Sequence, residues 1–307
     1  MVSPETSVKV LGKRFDRRFK YARFFKRHPS LTWILDRVAF RGDEIYYAPS
    51  DASVAKSRRI EVDIGVPQRE DAVLPSDIAK ELIERSRYHF IMDFCFCRNA
   101  NQCESYPTEL GCIFLGKGVL NIRGNVGRLA TKDEALAHLE KCRQAGLVQL
   151  AGRNKIDSMW LRSGDPDQLM SLCNCCPCCC LWKMLPDLPE NISSRITRLP
   201  GVDVRVLTDR CIGCGLCSES CFVGALRIAD GRCRIDDSAC RGCGRCADAC
   251  PHDAILVSVS EVSVRDAADR LCQLVDIESE RPRWRNPLER LYKMVDPTGF
   301  EPVTSAV

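Results

Sequence analysis

Two cysteine runs near the C-terminal end of this 307-residue chain constrain its fold more than any other feature. Residues 211–221 read C-I-G-C-G-L-C-S-E-S-C and residues 240–250 read C-R-G-C-G-R-C-A-D-A-C, so both follow the spacing C-x2-C-x2-C-x3-C. Three thiolates spaced in this way bind one iron–sulfur cubane, and the fourth is donated to the neighbouring cluster. The runs align without a gap, 211–226 on 240–255, and therefore predict a module with internal pseudo-twofold repetition.

The spacing also predicts how the thiolates are shared between two 4Fe-4S clusters. The predicted ligands of cluster I are Cys211, Cys214, Cys217 and Cys250, and those of cluster II are Cys240, Cys243, Cys246 and Cys221. A four-cysteine zinc site is the alternative, but zinc sites usually hold two C-x2-C pairs well apart. The pattern therefore favours iron–sulfur. One departure is Phe222, which stands where the bacterial run has the proline that Pro251 retains.

The cysteine content as a whole indicates metal binding rather than disulfides. There are 21 cysteines, an odd number, many of them adjacent or one residue apart. The first residues lead into charge rather than into an apolar segment, so we expect no export signal and a reducing, cytoplasmic location, peripheral to a membrane at most. No stretch has the roughly 18 apolar residues that a membrane-spanning helix needs.

A second concentration of thiols precedes the two runs. Its candidate ligands are Cys95, Cys97, Cys103, Cys112, Cys173, Cys175, Cys176, Cys178 and Cys179, in a stretch that ends at Cys180. We expect both segments to converge on one metal site that uses a subset of them: a third iron–sulfur cluster or a zinc ion. Arg98 would place positive charge beside the thiolates. Cys142 and Cys233 are predicted to be buried core residues.

These motifs together resemble a known family. The pieces that carry the resemblance are Cys95–Cys103 with its C-x-C-R start, Gly111–Gly116, Ala145–Val148 and the C-N-C-C-x-C-C stretch of Cys173–Cys180, followed by the two runs. In combination they resemble anaerobe 4Fe-4S dicluster proteins with an N-terminal cysteine-rich domain. The resemblance covers roughly residues 75–250. It implies an iron–sulfur electron-transfer protein without an assigned reaction. The family often has glycine where this chain has Pro177.

The predicted fold is α+β, with a cysteine-rich domain of helices and short strands before a two-cluster ferredoxin-like module. The predicted divisions are 1–70 (basic helical segment and strand), 71–184 (cysteine-rich domain), 185–202 (linker or wrapping segment), 203–258 (ferredoxin-like module) and 259–307 (tail). Periodicity predicts helices at 9–28, 31–40, 76–90, 131–145 and 264–275, and strands at 59–65, 147–150 and 158–161. Thr131 and Glu134 form a capping-box pattern, and a short helical stretch is predicted at 288–294.

The N-terminal helix is strongly basic. Residues 9–28 contain nine lysines and arginines against Asp16 alone, interleaved with aromatic residues. One interpretation is docking on an anionic membrane surface or an acidic protein. The other is a solvated face whose aromatic side packs on the protein. Nucleic-acid binding is the least favoured.

Three functional hypotheses follow. The leading one is an electron-transfer protein that passes electrons through two 4Fe-4S clusters to or from the N-terminal site, with redox proteins as partners. The second is an oxidoreductase whose N-terminal thiol site reduces a disulfide or small molecule. The third is an iron–sulfur redox sensor that binds nucleic acid. The sequence leaves open whether the chain catalyses a reaction, and it contains no flavin or nucleotide fingerprint that would add a cofactor.

Overall fold

A seven-stranded sheet organises the N-terminal two thirds of the chain. In the computed structural model, which describes residues 10, 12–64 and 74–279, the strand order is β4-β2-β3-β6-β5-β1-β7. The strands are β1 (Glu44–Tyr47), β2 (His89–Met92), β3 (Ile113–Leu115), β4 (Gly127–Ala130), β5 (Val148–Arg153), β6 (Met170–Cys175) and β7 (Ile196–Arg198). Every neighbouring pair is antiparallel except β1 and β7, which are parallel. The fold is α+β, as predicted.

Eleven α-helices are described around this sheet and in the C-terminal module. They are α1 (Arg17–Arg27), α2 (Thr32–Leu35), α3 (Asp51–Asp63), α4 (Ser76–Arg85), α5 (Phe96–Ala100), α6 (Lys132–Gln144), α7 (Lys155–Leu161), α8 (Glu190–Ser193), α9 (Leu216–Ser220), α10 (Arg245–Asp248) and α11 (Glu261–Leu274). Shorter 3-10 segments lie at Pro29–Leu31, Lys117–Asn121, Pro166–Gln168 and Leu181–Asp187, and a π-helical turn spans Asp36–Phe40. Within the described part of the chain, no helix is both long and apolar enough to cross a membrane.

The helices α4, α6 and α11 pack together and cover one face of the sheet. Ile78, Leu82 and Ile83 of α4 are buried against Leu139 of α6, as the helical periodicity predicted. The capping box of α6 is confirmed: Thr131 Oγ1 accepts a hydrogen bond from the Glu134 amide at 3.2 Å, and the Glu134 carboxylate accepts one from the Thr131 amide at 2.8 Å. These contacts give the sheet a rigid backing.

The last third of the described chain forms two short two-stranded sheets joined by loops. Strands β8 (Val202–Val206) and β11 (Ile255–Val259) pair antiparallel, and β9 (Leu226–Ala229) pairs with β10 (Arg232–Ile235). Helices α9 and α10 occupy equivalent places in the two cysteine runs.

Helix α3 fastens this module to the large sheet. Lys56 Nζ donates to the carbonyl oxygens of Ala247 and Cys250 at 3.1 and 3.0 Å and pairs with Asp253 at 2.7 Å. The hydroxyl of Ser57 accepts a hydrogen bond from the Val257 amide at 2.8 Å. The two parts of the chain are therefore tied by specific polar contacts and not by apolar packing alone.

Four segments differ from the sequence predictions. A strand is predicted at residues 59–65, but residues 59–63 belong to α3, because Ser50 caps that helix by accepting from the Ser53 amide and because Val54 and Ile60 bury one face. The helix expected to reach residue 90 ends at Arg85, and strand β2 begins at His89. Residues 158–161 lie in α7 instead of the predicted strand.

The segment 185–202, predicted as a linker or wrapping segment, contains α8 and strand β7. Strand β7 pairs with β1, Ile196 opposite Ile45, and so completes the edge of the large sheet. The predicted helices at 9–28, 31–40 and 264–275 are present with shifted ends, as α1, the Pro29–Phe40 segments and α11. The helix predicted at 288–294 lies outside the described residues.

Candidate metal centres

The eight cysteines of the two runs surround two small pockets in the C-terminal module. Pocket I is lined by Cys211, Cys214, Cys217 and Cys250, together with Cys233. Pocket II is lined by Cys221, Cys240, Cys243 and Cys246. In each pocket, three thiols come from one run and the fourth comes from the other.

Backbone amides point at the thiol sulfurs of both pockets. The Ala225 amide lies 3.3 Å from Cys221 Sγ, and the equivalent Ala254 amide lies 3.4 Å from Cys250 Sγ. The Gly242 amide lies 3.4 Å from Cys240 Sγ. Donated hydrogen bonds of this kind stabilise thiolates and tune the potential of a cluster that they ligate. The residues present therefore fit an iron–sulfur cluster in each pocket.

The two pockets differ in their exposure to solvent. Pocket I is at the surface: Cys214 is exposed, and the neighbouring Ile212 and Leu216 are 64% and 44% exposed. Pocket II faces the large sheet, where burial raises the pKa of the Cys240 and Cys243 thiols. The module thus presents one pocket outward and one inward.

The N-terminal thiols converge because three neighbouring strands meet at one end of the sheet. Strand β2 ends at Met92, shortly before Cys95, while β3 begins just after Cys112. The antiparallel register that pairs Ile113 with Leu172 brings Cys112 opposite Cys173 of β6. Residues two apart on a strand share a face, so Cys173 and Cys175 point to the same side. The topology therefore gathers segments that are far apart in the sequence.

Six of these thiols line a cavity of about 390 Å³, which we call the thiol cavity. They are Cys95, Cys97, Cys112, Cys173, Cys175 and Cys180. The neighbouring thiols of Cys112 and Cys97 hold the pKa of Cys95 well below its ordinary value, and those of Cys173 and Cys180 do the same for Cys175. The remaining walls include Phe96, Trp160 and Asp157.

Three arginines approach the thiol cavity from different sides. Arg98 is fully buried and donates to the carbonyl oxygens of Asn174, at 2.9 Å, and of Leu110. Arg245 comes from pocket II, and Arg18 from the N-terminal helix. Burial lowers the pKa of Arg98, but the nearby sulfurs of Cys95 and Cys112 raise it, so that its pKa lies above the ordinary value. The positive charges of these arginines therefore favour an anionic group in the cavity.

Each of these arginines also has a buried nitrogen that meets no partner. Among the described residues, Nε of Arg18, Nε of Arg98 and Nη1 of Arg245 make no hydrogen bond. A buried donor without a partner costs free energy, so it usually indicates a missing ion, water or ligand. Of these three arginines only Arg18 lines the thiol cavity, where an anionic iron–sulfur cluster would supply an acceptor, and the six thiols with this arginine fit such a group.

The other four thiols form a separate set, which we call the thiol quartet. Cys103, Cys176, Cys178 and Cys179 have sulfur atoms that all lie within 4.8 Å of one another. Cys178 Sγ is 3.5 Å from Cys103 Sγ and 3.5 Å from Cys176 Sγ, and Cys179 Sγ is 3.6 Å from Cys178 Sγ. The nine candidate ligands, of which a subset is expected to form one site, therefore fall into two sets: Cys175 lines the thiol cavity, whereas the adjacent Cys176 belongs to the quartet.

The three remaining cysteines lie outside these sets. Cys142 is fully buried in α6, where burial raises the pKa of its thiol to about 12. Cys272 is half-buried on α11. Cys233 is buried as expected, yet its sulfur is 3.5 Å from Cys217 Sγ and its amide is 3.3 Å from Cys211 Sγ, so it also forms part of the wall of pocket I.

Sequence reasoning missed three residues at the thiol cavity. Cys180 was not among the predicted ligands, but its sulfur is 3.6 Å from the Tyr47 hydroxyl and it lines the cavity. Arg245 donates from its Nη2 to the Cys175 carbonyl at 2.9 Å. A usable signal existed only for Cys180, which ends the cysteine-rich stretch. Tyr47 and Arg245 are brought in by strand pairing and by the docking of the C-terminal module.

Comparison with known families agrees with the description of the two C-terminal pockets. A family model for the 4Fe-4S dicluster domain matches residues 210–254, which cover both cysteine runs. No curated protein and no solved structure was found to match the chain. Residues 210–254 therefore form a 4Fe-4S ferredoxin-type domain, and the class of function that they indicate is iron–sulfur electron transfer.

Proposed function

We propose that the protein transfers electrons through two 4Fe-4S clusters to or from a third iron–sulfur site in the thiol cavity. Cluster I is held by Cys211, Cys214, Cys217 and Cys250, and cluster II by Cys221, Cys240, Cys243 and Cys246. The proposal treats residues 203–258 as a ferredoxin-like unit docked on a cysteine-rich N-terminal unit. A subset of the six cavity thiols ligates the third cluster.

The observation that carries this proposal is the position of Arg245. Its helix α10 follows Cys243 and includes Cys246, so the arginine belongs to pocket II. Its guanidinium reaches the Cys175 carbonyl at 2.9 Å and keeps one nitrogen without a partner among the described residues. Cys243, Cys175 and Cys180 belong to one buried cluster of side chains. Pocket II and the thiol cavity are thus neighbours, as an electron relay requires.

Phe222 strengthens the same junction. Its ring packs 5.4 Å from that of Tyr47, whose hydroxyl contacts Cys180, and 5.5 Å from the Arg245 guanidinium. This role explains why the run departs from proline at this position: an aromatic side chain here fills the boundary between the two units.

Metal analysis of the full chain, purified without oxygen, tests the proposal. Two cubanes account for about eight irons per chain, so a larger iron and sulfide content, with a third EPR signal, is expected. Cys175→Ser should lower the iron content and remove the third signal while leaving the two-cluster signals intact. Cys272→Ser is the matched control, because Cys272 lies outside every site.

Two outcomes would contradict the proposal. A wild-type protein with only eight irons has no third cluster. Loss of all signals in Cys175→Ser, while Cys272→Ser remains normal, would show that the thiol cavity and pocket II are a single site.

The size of the thiol cavity favours a second candidate function, an oxidoreductase. Its volume of about 390 Å³ is within the range of small-molecule sites, about 300–1,000 Å³. Trp160 and Phe96 supply apolar walls, and Asp157 and Arg18 supply polar groups. A small disulfide added to the reduced protein should then be turned over and should perturb the third EPR signal. Binding without turnover would contradict the catalytic version.

We also propose that the N-terminal helix docks on an anionic membrane surface. Its inner side is anchored, since Phe15 and Ala22 are buried and Lys26 Nζ donates to the Pro186 carbonyl at 2.6 Å. Its outer side exposes Tyr21 and Phe24, close in sequence to Trp33, which is 63% exposed. Exposed aromatic rings beside lysines and arginines are typical of interfacial helices.

Vesicle sedimentation tests this docking. The wild-type protein should bind vesicles that contain anionic lipid more strongly than neutral ones, and salt should weaken the binding. Trp33→Ser should reduce binding severalfold, whereas Leu129→Ser, at an equally exposed position on β4, should not. Equal binding to neutral vesicles, or equal effects of the two variants, would refute the proposal.

A further inference from the structure

The geometry points to a mononuclear zinc site in the thiol quartet, separate from every iron–sulfur centre. This inference does not depend on the electron relay, because it concerns four thiols that line neither pocket I, pocket II nor the thiol cavity. We propose that Cys103, Cys176, Cys178 and Cys179 bind one Zn²⁺ ion as a closed four-thiolate site.

The first argument is the spacing of the sulfur atoms. Four thiolates at about 2.3 Å from a tetrahedral zinc ion lie about 3.8 Å from one another. The sulfur of Cys178 lies 3.5, 3.5 and 3.6 Å from the sulfurs of Cys103, Cys176 and Cys179. All four sulfur atoms lie within 4.8 Å of one another. The quartet therefore already has the dimensions of a single coordination sphere.

The second argument is the contrast with the ferredoxin-type cysteines. Each thiolate of a cubane binds a different iron atom at a separate corner, so cubane ligands are spread more widely than the ligands of a single ion. Among the residues that the structure describes, neither pocket I nor pocket II has its thiols gathered within 4.8 Å, whereas the quartet does. The same chain thus contains two kinds of thiol spacing.

The third argument is the local backbone. Cys176-Pro-Cys-Cys179 forms a tight loop in which the Cys179 amide lies 3.4 Å from Cys176 Sγ. Amide-to-sulfur hydrogen bonds of this kind stabilise a metal-bound thiolate. Cys103 arrives from the loop after α5, where its amide donates to the Arg98 carbonyl at 3.0 Å. Four thiolates around Zn²⁺ carry a net charge of −2, which the buried Arg98 partly offsets.

The site would act as a structural clamp. The loop 176–180 ends at Cys180, and the loop that contains Cys103 follows α5, which contains Cys97. Both Cys97 and Cys180 line the thiol cavity. A zinc ion that joins the two loops would therefore hold two walls of the cavity in place without taking part in electron transfer, because zinc does not change oxidation state.

Metal analysis of two single variants tests the inference, because each variant should lose one metal and keep the other. The full chain, purified without oxygen, should contain about one zinc in addition to its iron. Cys178→Ser should lose most of that zinc and retain its two-cluster signals, while Cys175→Ser should lose iron and retain zinc. Cys142→Ala is the matched control, since Cys142 packs beside the quartet without belonging to it.

A spectroscopic measurement on the wild-type protein tests the inference even where a variant fails to fold. X-ray absorption at the zinc edge of the wild-type protein should show four sulfur neighbours at about 2.3 Å. Nitrogen or oxygen neighbours, the absence of zinc, or iron in its place would overturn the assignment. So would joint loss of iron and zinc in both Cys178→Ser and Cys175→Ser with an intact control, because the two thiol sets would then be one centre.

Discussion

The docking of the ferredoxin-type module can be tested at one glycine that has an internal control. Gly215 and Gly244 occupy the same place in the two cysteine runs, with φ of +86° and +81°. A Cβ on Gly215 would meet no atom within 4 Å, whereas a Cβ on Gly244 would overlap Ser53 Oγ and lie 2.9 Å from Ser53 Cβ. Gly244→Ala therefore perturbs the contact between the ferredoxin-type module and helix α3, whereas Gly215→Ala introduces only the backbone strain of an alanine at positive φ.

The expected magnitudes follow from these contacts. A left-handed alanine costs about 1–2 kcal/mol, partly offset by about 0.4–1 kcal/mol from the stiffer unfolded chain, so Gly215→Ala should lose about 1 kcal/mol. Gly244→Ala adds overpacking, about 1–3 kcal/mol, and threatens the bond from Ser53 Oγ to the Ser50 carbonyl, 2.8 Å long. We expect about 2–5 kcal/mol in total.

Thermal unfolding of the anaerobic protein at one scan rate measures the difference. At roughly 2–4 °C per kcal/mol for a chain of this class, the melting temperature should fall a few degrees in Gly215→Ala and roughly 5–15 °C in Gly244→Ala. Ser53→Gly should recover part of the second loss, because it removes the overlapping atoms, and the double variant should then be non-additive. Equal shifts for the two glycine variants, or a fully additive double variant, would refute the close docking described here.

Three further changes test the junction and the thiol cavity. Arg245→Gln should lower the reduction potentials of cluster II and the third site by roughly 60 mV, a tenfold change in a one-electron equilibrium, as measured by an EPR-monitored redox titration. The reduction potential of cluster I should not shift, and Arg245→Lys should restore most of the lost potential. Phe222→Pro should keep the iron of both clusters but lower stability by about 2 kcal/mol, since it removes ring contacts; a loss of iron would argue against its purely packing role. Gly111→Ala should lower the iron content of the third site, because its Cβ would lie 2.8 Å from Met92 Cβ and displace Cys112; an unchanged content, equal to that of Gly146→Ala at an open position, would contradict this.

The ferredoxin-type module could be predicted from the sequence because its chemistry is local. Three cysteines within seven residues determine which thiols share a pocket, and the repeat supplies the fourth. The capping box at Thr131 and the buried face of α4 were predictable for the same reason: both depend on neighbours within one or two helical turns.

The division of the N-terminal thiols could not be predicted, because it depends on strand register. The pairing of Ile113 with Leu172, far apart in the sequence, brings Cys112 to β6. Cys173 and Cys175 share a face because side chains alternate along a strand, but β6 ends at Cys175, so the place of Cys176 in the quartet does not follow from that alternation. Periodicity alone does not give the end of a strand.

Helix α3 shows how packing overrides an alternating pattern. Ile60, Val62 and Ile64 alternate with polar residues and predict a strand, yet Val62 is half exposed in the helix and Ile64, just past its end, is 43% exposed. The helix forms because Ser50 caps it and because Val54 and Ile60 are buried on a helix that packs against strand β11 of the C-terminal module. That module is distant in sequence, so its influence was not visible locally.

The parallel pairing of β1 with β7 affects the order in which the large sheet can form during synthesis. Strand β1 lies between β5 and β7, and Ile45 pairs with both Gly152 and Ile196. During synthesis the ribosome releases β1 long before either partner, so this strand has no β7 partner until nearly two thirds of the chain has been made. Every thiol of the cavity and of the quartet emerges within that interval. Delivery of the proposed metals to these thiols would therefore have to compete with, or be guided by, the late closure of the sheet.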